Sequence, residues 1–494
     1  MIDLLQAQAG QTLTENGGAA YVTTGSDCLD FFAHAGALRS ASDDEIRTRF
    51  LRAFCENRDI ALKLLFFARD VRGGLGERRV FRVILAWLAD YAPETVRKNL
   101  SYIAEFGRFD DLFVLFGTAC EEDMLALVKR QFEEDLRSLS EGGAVSLLGK
   151  WMPSVNTSDP LVVKKGKKLA RYLGMKDAEY RKALTKLRAK IRILENYLRE
   201  KDYTFDYEKQ PSKALYRYRK AFMRNDPERY EDFLDAVSSG KKTMHTATLA
   251  PYELVNPFLE TTWSGPLRIT TISEEEKKAL NTTWANLPVY HPSEDMLAVI
   301  DTSGSMYYGS SPYPASVALS LGLYLAEHNT GAFQNCFIEF SEHPRLIEIK
   351  GETFVDRLAY ISSFSEIANT NLQAVFDLIL KTAIKHKLPA NALPGKLVVI
   401  SDMEFDACVE DADRTVYEHA KASYEAAGYR LPEVIFWNVS ARRQQYPVRM
   451  DENGTMLVSG VTPKLFDMIA GGSVHPYRFM MEVVESERYR MIRG

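Results

Sequence analysis

Apolar residues follow two different patterns along this chain. From residue 26 to about residue 139 they recur three and four positions apart, which is the spacing of helices that bury one face. After about residue 294, short apolar runs alternate with amphipathic helical stretches, which is typical of a sheet of mostly parallel strands connected by helices. We therefore expect an α-helical domain at 1–270, a linker at 271–293 and an α/β domain at 294–494.

The first half predicts consecutive helices joined by short linkers. One begins at Asp43, where acidic residues favour a helix start, and buries Ile46, Phe50 and Phe54. Others are predicted at 59–70, 77–91 and 93–106, the last with proline in its first turn. Helices of this length with tight connections favour an α-solenoid of the HEAT type, although the sequence has no strict repeat.

The second half predicts a doubly wound, Rossmann-like sheet. Buried strands are expected at 297–300, 336–340, 345–349, 397–400 and 434–439. Amphipathic helices are expected at 314–328, 353–360, 371–386, 412–427 and 463–470. Open sheets of this kind bind ligands at the carboxyl ends of their strands, so the residues that follow each strand are the first place to look for a site.

The loop after the strand at 297–300 carries oxygen ligands at alternate positions, namely Asp301, Ser303 and Ser305. One carboxylate and two hydroxyls can converge on a small hard cation such as Mg²⁺. A three-residue pattern of this kind often arises by chance, and the serines could simply cap the following turn. The preceding strand and the following helix favour a cation site, which then needs further ligands from later segments.

This pattern resembles the metal-ion-dependent adhesion site of von Willebrand factor A domains. In that family a loop threonine follows, and then an aspartate after a later central strand; Thr370 and Asp402 match those positions in order. The resemblance implies a divalent-cation site formed by Asp301, Ser303, Ser305, Thr370 and Asp402. Mg²⁺ is the expected ion, with Mn²⁺ or Ca²⁺ as alternatives. A free coordination position would accept an acidic group of a protein partner or a phosphate oxygen.

Overall composition is that of an ordinary folded protein, but the net charge of -5 conceals a strongly basic segment. Residues 161–224 contain 20 Lys or Arg against 7 Asp or Glu. A helix is predicted at 178–200 within this segment, with one buried face formed by Leu184, Leu187, Ile191, Leu194 and Leu198. Tyrosine and phenylalanine residues are interleaved with the basic ones. Cations neutralise phosphates and aromatic rings stack on unpaired bases, so the segment favours RNA, either single-stranded or structured.

The basic side chains predicted to contact RNA are Lys164, Lys165, Lys167, Lys168, Arg171, Arg181, Lys182, Lys186, Arg188, Arg217, Arg219 and Lys220. Two alternatives stay open at this point, a solvated cationic helix face and a surface for an acidic protein partner. Binding of RNA through these charges should weaken steeply as salt is added.

A glycine-rich link at 72–79 separates two of the predicted helices. It follows a helix rather than a strand and lacks the spacing of a dinucleotide-binding fingerprint. We interpret it as a helix C-cap with glycines of positive φ; the alternative is a phosphate-binding nest formed by Arg72, Gly73, Gly74 and Arg78. Residues 143–150 miss the P-loop spacing, so no NTPase site is predicted.

Other residue types exclude further classes of site. The five cysteines are scattered without a C-x-x-C pair, so neither a disulfide framework nor a zinc site is predicted, and a reducing compartment is expected. The eight histidines lack metal-ligand spacing, and there is neither a nucleophile elbow nor the second aspartate of a haloacid dehalogenase phosphatase, since position 303 is serine. Without a signal peptide or a membrane-spanning run, we expect a cytoplasmic protein that binds no membrane. Because the sequence fits none of these catalytic patterns, we also expect that the protein is not an enzyme.

The two-part plan resembles the TROVE proteins, the Ro ribonucleoprotein family. It resembles more closely a related family of the same organisation, on the segments FARDVRGGLGERR at 67–79, KWMP at 150–153 and FWNV at 436–439. The resemblance implies a scaffold that binds single-stranded or structured small RNA without cleaving it. The alternatives are a metal-dependent protein-interaction adaptor without RNA and, third, a metal-dependent hydrolase.

Overall fold

The computed structural model describes residues 10–262, 265–289, 295–307, 312–340, 343–364, 371–406 and 415–494. Its strands form two short antiparallel hairpins and one sheet of six strands. The strands are β1 (Gln11–Leu13), β2 (Ala19–Tyr21), β3 (Leu259–Thr262), β4 (Gly265–Ile269), β5 (Met296–Asp301), β6 (Cys336–Phe340), β7 (Arg345–Glu348), β8 (Lys396–Ser401), β9 (Glu433–Asn438) and β10 (Thr455–Ser459).

Helices dominate the region before β5 and alternate with strands after it. They are α1 (Asp27–His34), α2 (Asp43–Glu56), α3 (Arg58–Arg69), α4 (Arg78–Tyr91), α5 (Pro93–Asn99), α6 (Ile103–Phe106), α7 (Glu121–Ser140), α8 (Leu148–Trp151), α9 (Pro160–Tyr172), α10 (Asp177–Ile191), α11 (Leu194–Glu200), α12 (Ser212–Asn225), α13 (Pro227–Ser238), α14 (Pro251–Val255), α15 (Glu274–Ala285), α16 (Pro314–His328), α17 (Phe354–Ser362), α18 (Leu372–His386), α19 (Val416–Ala426), α20 (Leu465–Gly471) and α21 (Pro476–Glu485). A helical first half followed by an α/β second half is therefore confirmed.

The predicted helices of the first half are present with one interruption. The start of α2 is capped by the Ser42 side chain, which accepts a hydrogen bond from the backbone N–H of Glu45. The helix predicted at 93–106 instead ends at Asn99 and continues through a 3₁₀ turn into α6. At this break the Asn99 side chain bonds the backbone of Arg493, donating to its carbonyl at 2.6 Å and accepting from its N–H at 3.1 Å.

The prediction of a single helix at 178–200 is wrong, because the helix ends at Ile191. Arg192 has a left-handed backbone conformation with φ of 49°, and a second helix, α11, begins at Leu194. The predicted buried face is therefore divided. Leu184 and Leu187 belong to one hydrophobic core and Leu194 to another.

The six-stranded sheet has the order β10-β9-β8-β5-β6-β7, and every neighbouring pair is parallel except β6 and β7. All six residues of β5 are buried, as expected for a central parallel strand. From β5 the chain moves outward to β6 and β7, then returns to β8 on the other side of β5. The strand order thus reverses between β5 and β8, which is the position where sheets of this kind bind ligands.

The structure contains elements that the sequence did not predict. These are the β1–β2 and β3–β4 hairpins, strand β10 and helix α21. The segment predicted as a linker contains α15, whose Trp284 stacks on Phe354 with ring centroids 4.1 Å apart. The sequence of this segment predicts a short charged helical stretch at 273–280, and the structure extends it to a helix that packs against α17. No helix among the described residues is long and apolar enough to cross a bilayer.

Two hydrophobic cores organise these elements. The large core runs from Tyr21 to Ile492 and includes residues of α1–α10, of the sheet and of α21. The small core is formed by Leu194, Phe205, Tyr207, Leu215, Phe222, Tyr230, Phe233, Leu234, Val237, Met244 and Ala279. Helix α15 contributes Ala279 to the small core and Leu280 to the large one, so it joins the two.

Candidate cation site and basic surface

Two acidic residues lie at the carboxyl ends of the strands that flank the reversal of strand order. Asp301 is the last residue of β5, and Asp402 directly follows β8. Because Ile300 pairs with Ile400 in the parallel register, the ends of these strands lie side by side. Both residues are buried, Asp301 completely and Asp402 to within 2%. The sheet therefore brings together two carboxylates that lie 101 positions apart in the sequence.

Hydroxyl groups surround the Asp301 carboxylate. Its Oδ2 accepts a hydrogen bond from the Ser401 hydroxyl at 2.5 Å, and its Oδ1 accepts one from the Ser303 backbone N–H at 2.8 Å. The hydroxyls of Ser303 and Ser305 lie 3.1 Å from each other. Four of the five predicted ligands thus belong to one part of the molecule. The fifth, Thr370, lies outside the described residues.

The two carboxylates disfavour each other's ionised form. Burial raises the pKa of Asp301, and the nearby charge of Asp402 raises it further. Burial also raises the pKa of Asp402, and the Arg442 guanidinium opposes this effect. Two adjacent buried carboxylates with hydroxyls beside them form a donor set that suits a hard divalent cation, which would offset their repulsion.

Three residues near this site were not predicted. Glu404 is 1% exposed and follows Asp402 by two positions, a spacing that could have been noticed in the sequence. The other two are Arg442 and Glu15, which approach from the loop after β9 and from the β1–β2 hairpin. Across the described parts of the chain, no three His, Cys, Asp or Glu side chains are grouped as metal ligands. The candidate set consequently depends on hydroxyls as well as carboxylates.

Helices α9 and α10 carry a dense set of exposed basic residues. Helices α9 and α10 contact each other, and residues 160–192 contain 12 Lys or Arg against 2 Asp or Glu. Most of the predicted RNA-binding side chains on these helices are exposed, namely Lys164, Lys167, Lys168, Arg171, Arg181, Lys182 and Lys186. We call these seven residues the basic face. Lys168 forms an ion pair with Glu121, and Lys167 lies 3.8 Å from Asp177.

Three other predicted RNA-binding residues are engaged inside the fold. Lys165 is half-buried and donates to the Phe113 carbonyl at 3.2 Å. Arg188 donates to the carbonyls of Gly149 and Met152 at 2.9 and 2.8 Å, so its guanidinium is engaged within the fold rather than free to contact RNA. Arg219 is 7% exposed and pairs with Glu276 at 2.7 Å.

The remaining two, Arg217 and Lys220, are exposed on α12. They therefore belong to the helices of the small core, whereas the basic face lies on helices of the large core.

Other groups of the protein contact the glycine-rich link at 72–79, at the position where the alternative interpretation expects a phosphate. The fully buried carboxylate of Asp70 accepts from the Arg72 backbone N–H at 2.9 Å and from Arg488 Nη2 at 2.6 Å. Burial raises the pKa of Asp70, but hydrogen bonds from Arg488, Arg72 and Gly73 outweigh it and lower the pKa below its ordinary value. A carboxylate thus takes the place that the nest hypothesis gives to phosphate.

The glycines of this link serve close packing more than positive φ. Only Gly76 in the link has a left-handed conformation, with φ of +72°, which corrects the interpretation as a glycine C-cap for Gly73 and Gly74. A Cβ atom on Gly74 would lie 2.1 Å from the Phe67 carbonyl oxygen. The carboxy-terminal segment therefore packs against this link. The side chains of Arg72 and Arg78 are exposed.

Comparisons with known proteins identify similar families and one similar fold. A domain of unknown function (DUF2828) matches residues 14–124 and 156–289, and another domain of unknown function (DUF7788) matches residues 295–488. An uncharacterized protein of Acanthamoeba polyphaga mimivirus is 26% identical over 517 residues, which cover 97% of this chain and 88% of that protein.

Among solved structures, the Deinococcus radiodurans Ro (RSR) protein matches over 91% of this chain and 99% of its own, with a TM-score of 0.50 and 15% identity. The chain thus has a Ro-like fold, with an amino-terminal helical region and a mostly parallel sheet. Proximal thread matrix protein 1 from the mussel byssus covers 37% of this chain and 47% of its own at 12% identity. Its TM-score of 0.27 carries no argument about the fold.

Proposed function

We propose that this chain is a non-catalytic RNA-binding scaffold that also holds a divalent cation at the carboxyl edge of its sheet. The observation that carries the RNA proposal is the basic face, where seven exposed cations lie on two contacting helices of a protein whose net charge is negative. Such a cluster can neutralise the phosphates of a nucleic-acid backbone. The Ro-like fold supports the same class of function. Cytoplasmic location remains a prediction.

The finer fold assignment belongs to this proposal. The helices of residues 1–270, α1 to α14, would correspond to a HEAT-like repeat domain, and the region 294–494 to a von Willebrand factor A domain. The reversal of strand order beside Asp301 and Asp402 supports the second assignment, because that domain places its cation at this edge.

Copurified nucleic acid is the first test of RNA binding. The full chain should carry material that raises the ratio of ultraviolet absorbance at nucleic-acid and protein wavelengths, and ribonuclease should remove it. Material that resists ribonuclease, or protein that is free of nucleic acid and does not bind added RNA, would contradict the proposal.

A charge-matched pair of variants tests the basic face itself. Replacing Lys164, Lys167, Lys182 and Lys186 by Gln should reduce affinity for a structured RNA roughly 10- to 100-fold and flatten its dependence on salt, because each lost phosphate contact lowers the slope by about 0.7 to 0.9. The control replaces four exposed lysines elsewhere, at Lys241, Lys242, Lys350 and Lys385. Equal losses in both variants would indicate a general charge effect rather than a binding face.

The proposed cation would be held by Asp301 and Asp402 with the hydroxyls of Ser303 and Ser305, and by Thr370 as in the family resemblance. A cation at this edge supplies a positive charge that can bind an acidic or phosphate oxygen. Asp301→Ala should abolish Mg²⁺ binding in a calorimetric titration while circular dichroism stays unchanged. The control Asp451→Ala removes an exposed carboxylate and should bind Mg²⁺ as the wild type does. Unchanged affinity in Asp301→Ala would overturn the assignment.

One observation favours the adaptor as a second function. The Glu15 carboxylate already lies 2.8 Å from Arg442, which in turn lies 3.0 Å from Asp402. An acidic side chain can therefore reach the neighbourhood of this site. If the protein binds no RNA but retains a protein partner only when Mg²⁺ is present, the adaptor would replace the scaffold as the proposed function.

A further inference from the structure

Arg442 bridges a buried carboxylate of the candidate cation site and an acidic residue of the β1–β2 hairpin. Its Nη2 lies 3.0 Å from Oδ2 of Asp402, and its Nη1 lies 2.8 Å from Oε2 of Glu15. The side chain of Asp402 is 1% exposed, whereas those of Arg442 and Glu15 are 36% and 45% exposed. The guanidinium thus reaches inward from a partly solvated position to one of the candidate ligands.

Two buried carboxylates in this region, Asp402 and Glu404, each have an oxygen atom without a hydrogen bond. Among the described residues, Oδ2 of Asp402 and Oε1 of Glu404 are buried and have no hydrogen-bond partner. Arg442 therefore stabilises the Asp402 carboxylate by its nearby charge, without forming a well-aligned hydrogen bond to it. Unbonded buried carboxylate oxygens are costly, and they are the atoms that a cation would coordinate.

The hairpin that carries Glu15 is fixed to the segment after β8. The Glu15 backbone N–H donates to Oε2 of Glu404 at 2.6 Å, and Nδ2 of Asn16 donates to the Glu404 carbonyl at 2.6 Å. A Cβ atom on Gly18 would lie 2.5 Å from the Phe405 carbonyl oxygen, so the hairpin and this segment are in direct contact. Hairpin, Arg442 and candidate ligands are consequently one connected unit.

A divalent cation and the guanidinium would compete for the same oxygen. A cation bound by Asp402 would sit within about 2 to 2.6 Å of its carboxylate oxygen. Arg442 would then face a like charge of twice its own at close range, and its attraction to Asp402 would be largely cancelled. Its remaining bond to Glu15 is an exposed ion pair, which contributes little by itself.

From these contacts we propose that Arg442 is an internal counter-ion that neutralises Asp402 when no divalent cation is bound. Glu15 holds Arg442 in this position. Binding of the cation displaces Arg442 from Asp402, which breaks the link from Glu15 through Arg442 to the sheet. The tip of the β1–β2 hairpin then loses one contact, while its bonds to Glu404 remain. This inference rests on the proposed cation site, and it makes Arg442 the residue that sets the affinity of that site.

Calorimetric titration of the chelator-treated full chain with MgCl₂ tests the competition. Arg442→Gln should bind Mg²⁺ at least 10-fold more tightly than the wild type, because the competing charge is gone. The matched control is Arg443→Gln, which removes an exposed positive charge from the next position and should change the affinity less than 3-fold. If Arg442→Gln binds no more tightly than Arg443→Gln, the counter-ion role is wrong.

Hydrogen exchange of the hairpin tests the release step. Mg²⁺ should modestly accelerate exchange at the tip of the hairpin, residues 14–18, in the wild type, whereas Asp301→Ala should show no response. In Arg442→Gln the same residues should exchange without Mg²⁺ as fast as they do in the Mg²⁺-bound wild type. Exchange that Mg²⁺ slows or leaves unchanged in the wild type would overturn this loss of the Arg442 contact.

The two proposals fail in different ways. If neither the wild type nor Arg442→Gln binds Mg²⁺ at millimolar concentration, the cation site itself is wrong. If both bind equally and Asp301→Ala does not bind, the site stands and only the role of Arg442 is overturned.

Discussion

The large and small cores differ in how far apart in sequence their members lie. Residues of the small core lie between Leu194 and Ala279, so it is assembled from nearby segments. The large core joins Tyr21 to Ile492, and within it Phe67 contacts both Phe32 of α1 and Tyr489 near the carboxyl end. Order along the chain therefore predicts the small core well and the large one poorly. The helical half is not a separate hydrophobic unit from the sheet.

Truncation of one buried ring in each core should have the largest effect on stability, and it tests the difference between the two cores most directly. Phe67→Ala and Phe222→Ala each remove a buried ring, so each should cost about 3 to 5 kcal/mol of local stability. Phe67→Ala should lower the urea midpoint of the whole protein, because its ring contacts both halves.

Phe222→Ala should instead accelerate hydrogen exchange in residues 194–244 while the sheet stays protected. If both variants destabilise the sheet equally, the two cores unfold as one unit and the comparison fails.

The buried ion pair between α12 and α15 should have the next largest effect. Arg219→Ala leaves the carboxylate of Glu276 buried with only Lys220, 3.3 Å away, as a partner. We expect a loss of about 2 to 3 kcal/mol in the free energy that holds the small core to α15, measured by hydrogen exchange. The control Arg217→Ala removes an exposed charge from the same helix and should cost less than about 0.5 kcal/mol.

The carboxyl group of Asp30 in α1 should make the stability of the large core depend on pH. Burial raises its pKa from 3.8 to about 6, although hydrogen bonds from Thr24 oppose the shift. The folded state therefore holds a proton more tightly than the unfolded state, so the contribution of Asp30 to stability falls as pH rises from about 4 to 6.

Asp30→Asn should accordingly raise the free energy of unfolding by about 1 to 2 kcal/mol at pH 7, and this gain should vanish below pH 4. Urea titrations at several pH values measure it. A gain that is independent of pH would show that the carboxyl charge is not its cause.

The smallest effect is expected at the surface between the two cores. Lys278 of α15 lies 3.0 Å from Glu231 and 2.7 Å from Asp235 of α13. Because these side chains are solvated, Lys278→Gln should cost less than about 1 kcal/mol, and the loss should shrink with added salt. A larger loss that does not change with salt would indicate that Lys278 acts through the packing of its aliphatic chain rather than through its charge.

Local pattern was sufficient to predict most elements of the sheet. The expected strand at 336–340 is β6, and the expected helix at 314–328 is α16, because both have strong periodicity or uninterrupted apolar runs. The β1–β2 hairpin was missed because its strands are three residues long and are held by contacts with residues near 405 and 446. The break at Arg192 was missed because a run of apolar residues with helical spacing continues through it.

The residues of the candidate site likewise differ in whether local sequence pattern identified them. Asp301 and Asp402 each follow a buried strand, so local pattern identified them, although the role as cation ligands stays a prediction. Arg442 and Glu15 are brought to Asp402 only by packing between distant segments, and neither lies in a pattern that marks a site. Sequence periodicity specifies which residues end a strand, but not which charges from other segments settle against them.

The break at Arg192 has a consequence for how a long ligand would be held. It separates the basic face, on helices of the large core, from Arg217 and Lys220, on a helix of the small core. The two cores are connected through residues 192–193 and through α15. A polyanion that spans the basic face and the pair Arg217 and Lys220 binds the second group of cations intramolecularly. The effective concentration for this second contact is high and depends on the distance between the two groups. Affinity should therefore rise abruptly once an oligonucleotide is long enough to reach across, and shorter ones should gain nothing from the second set.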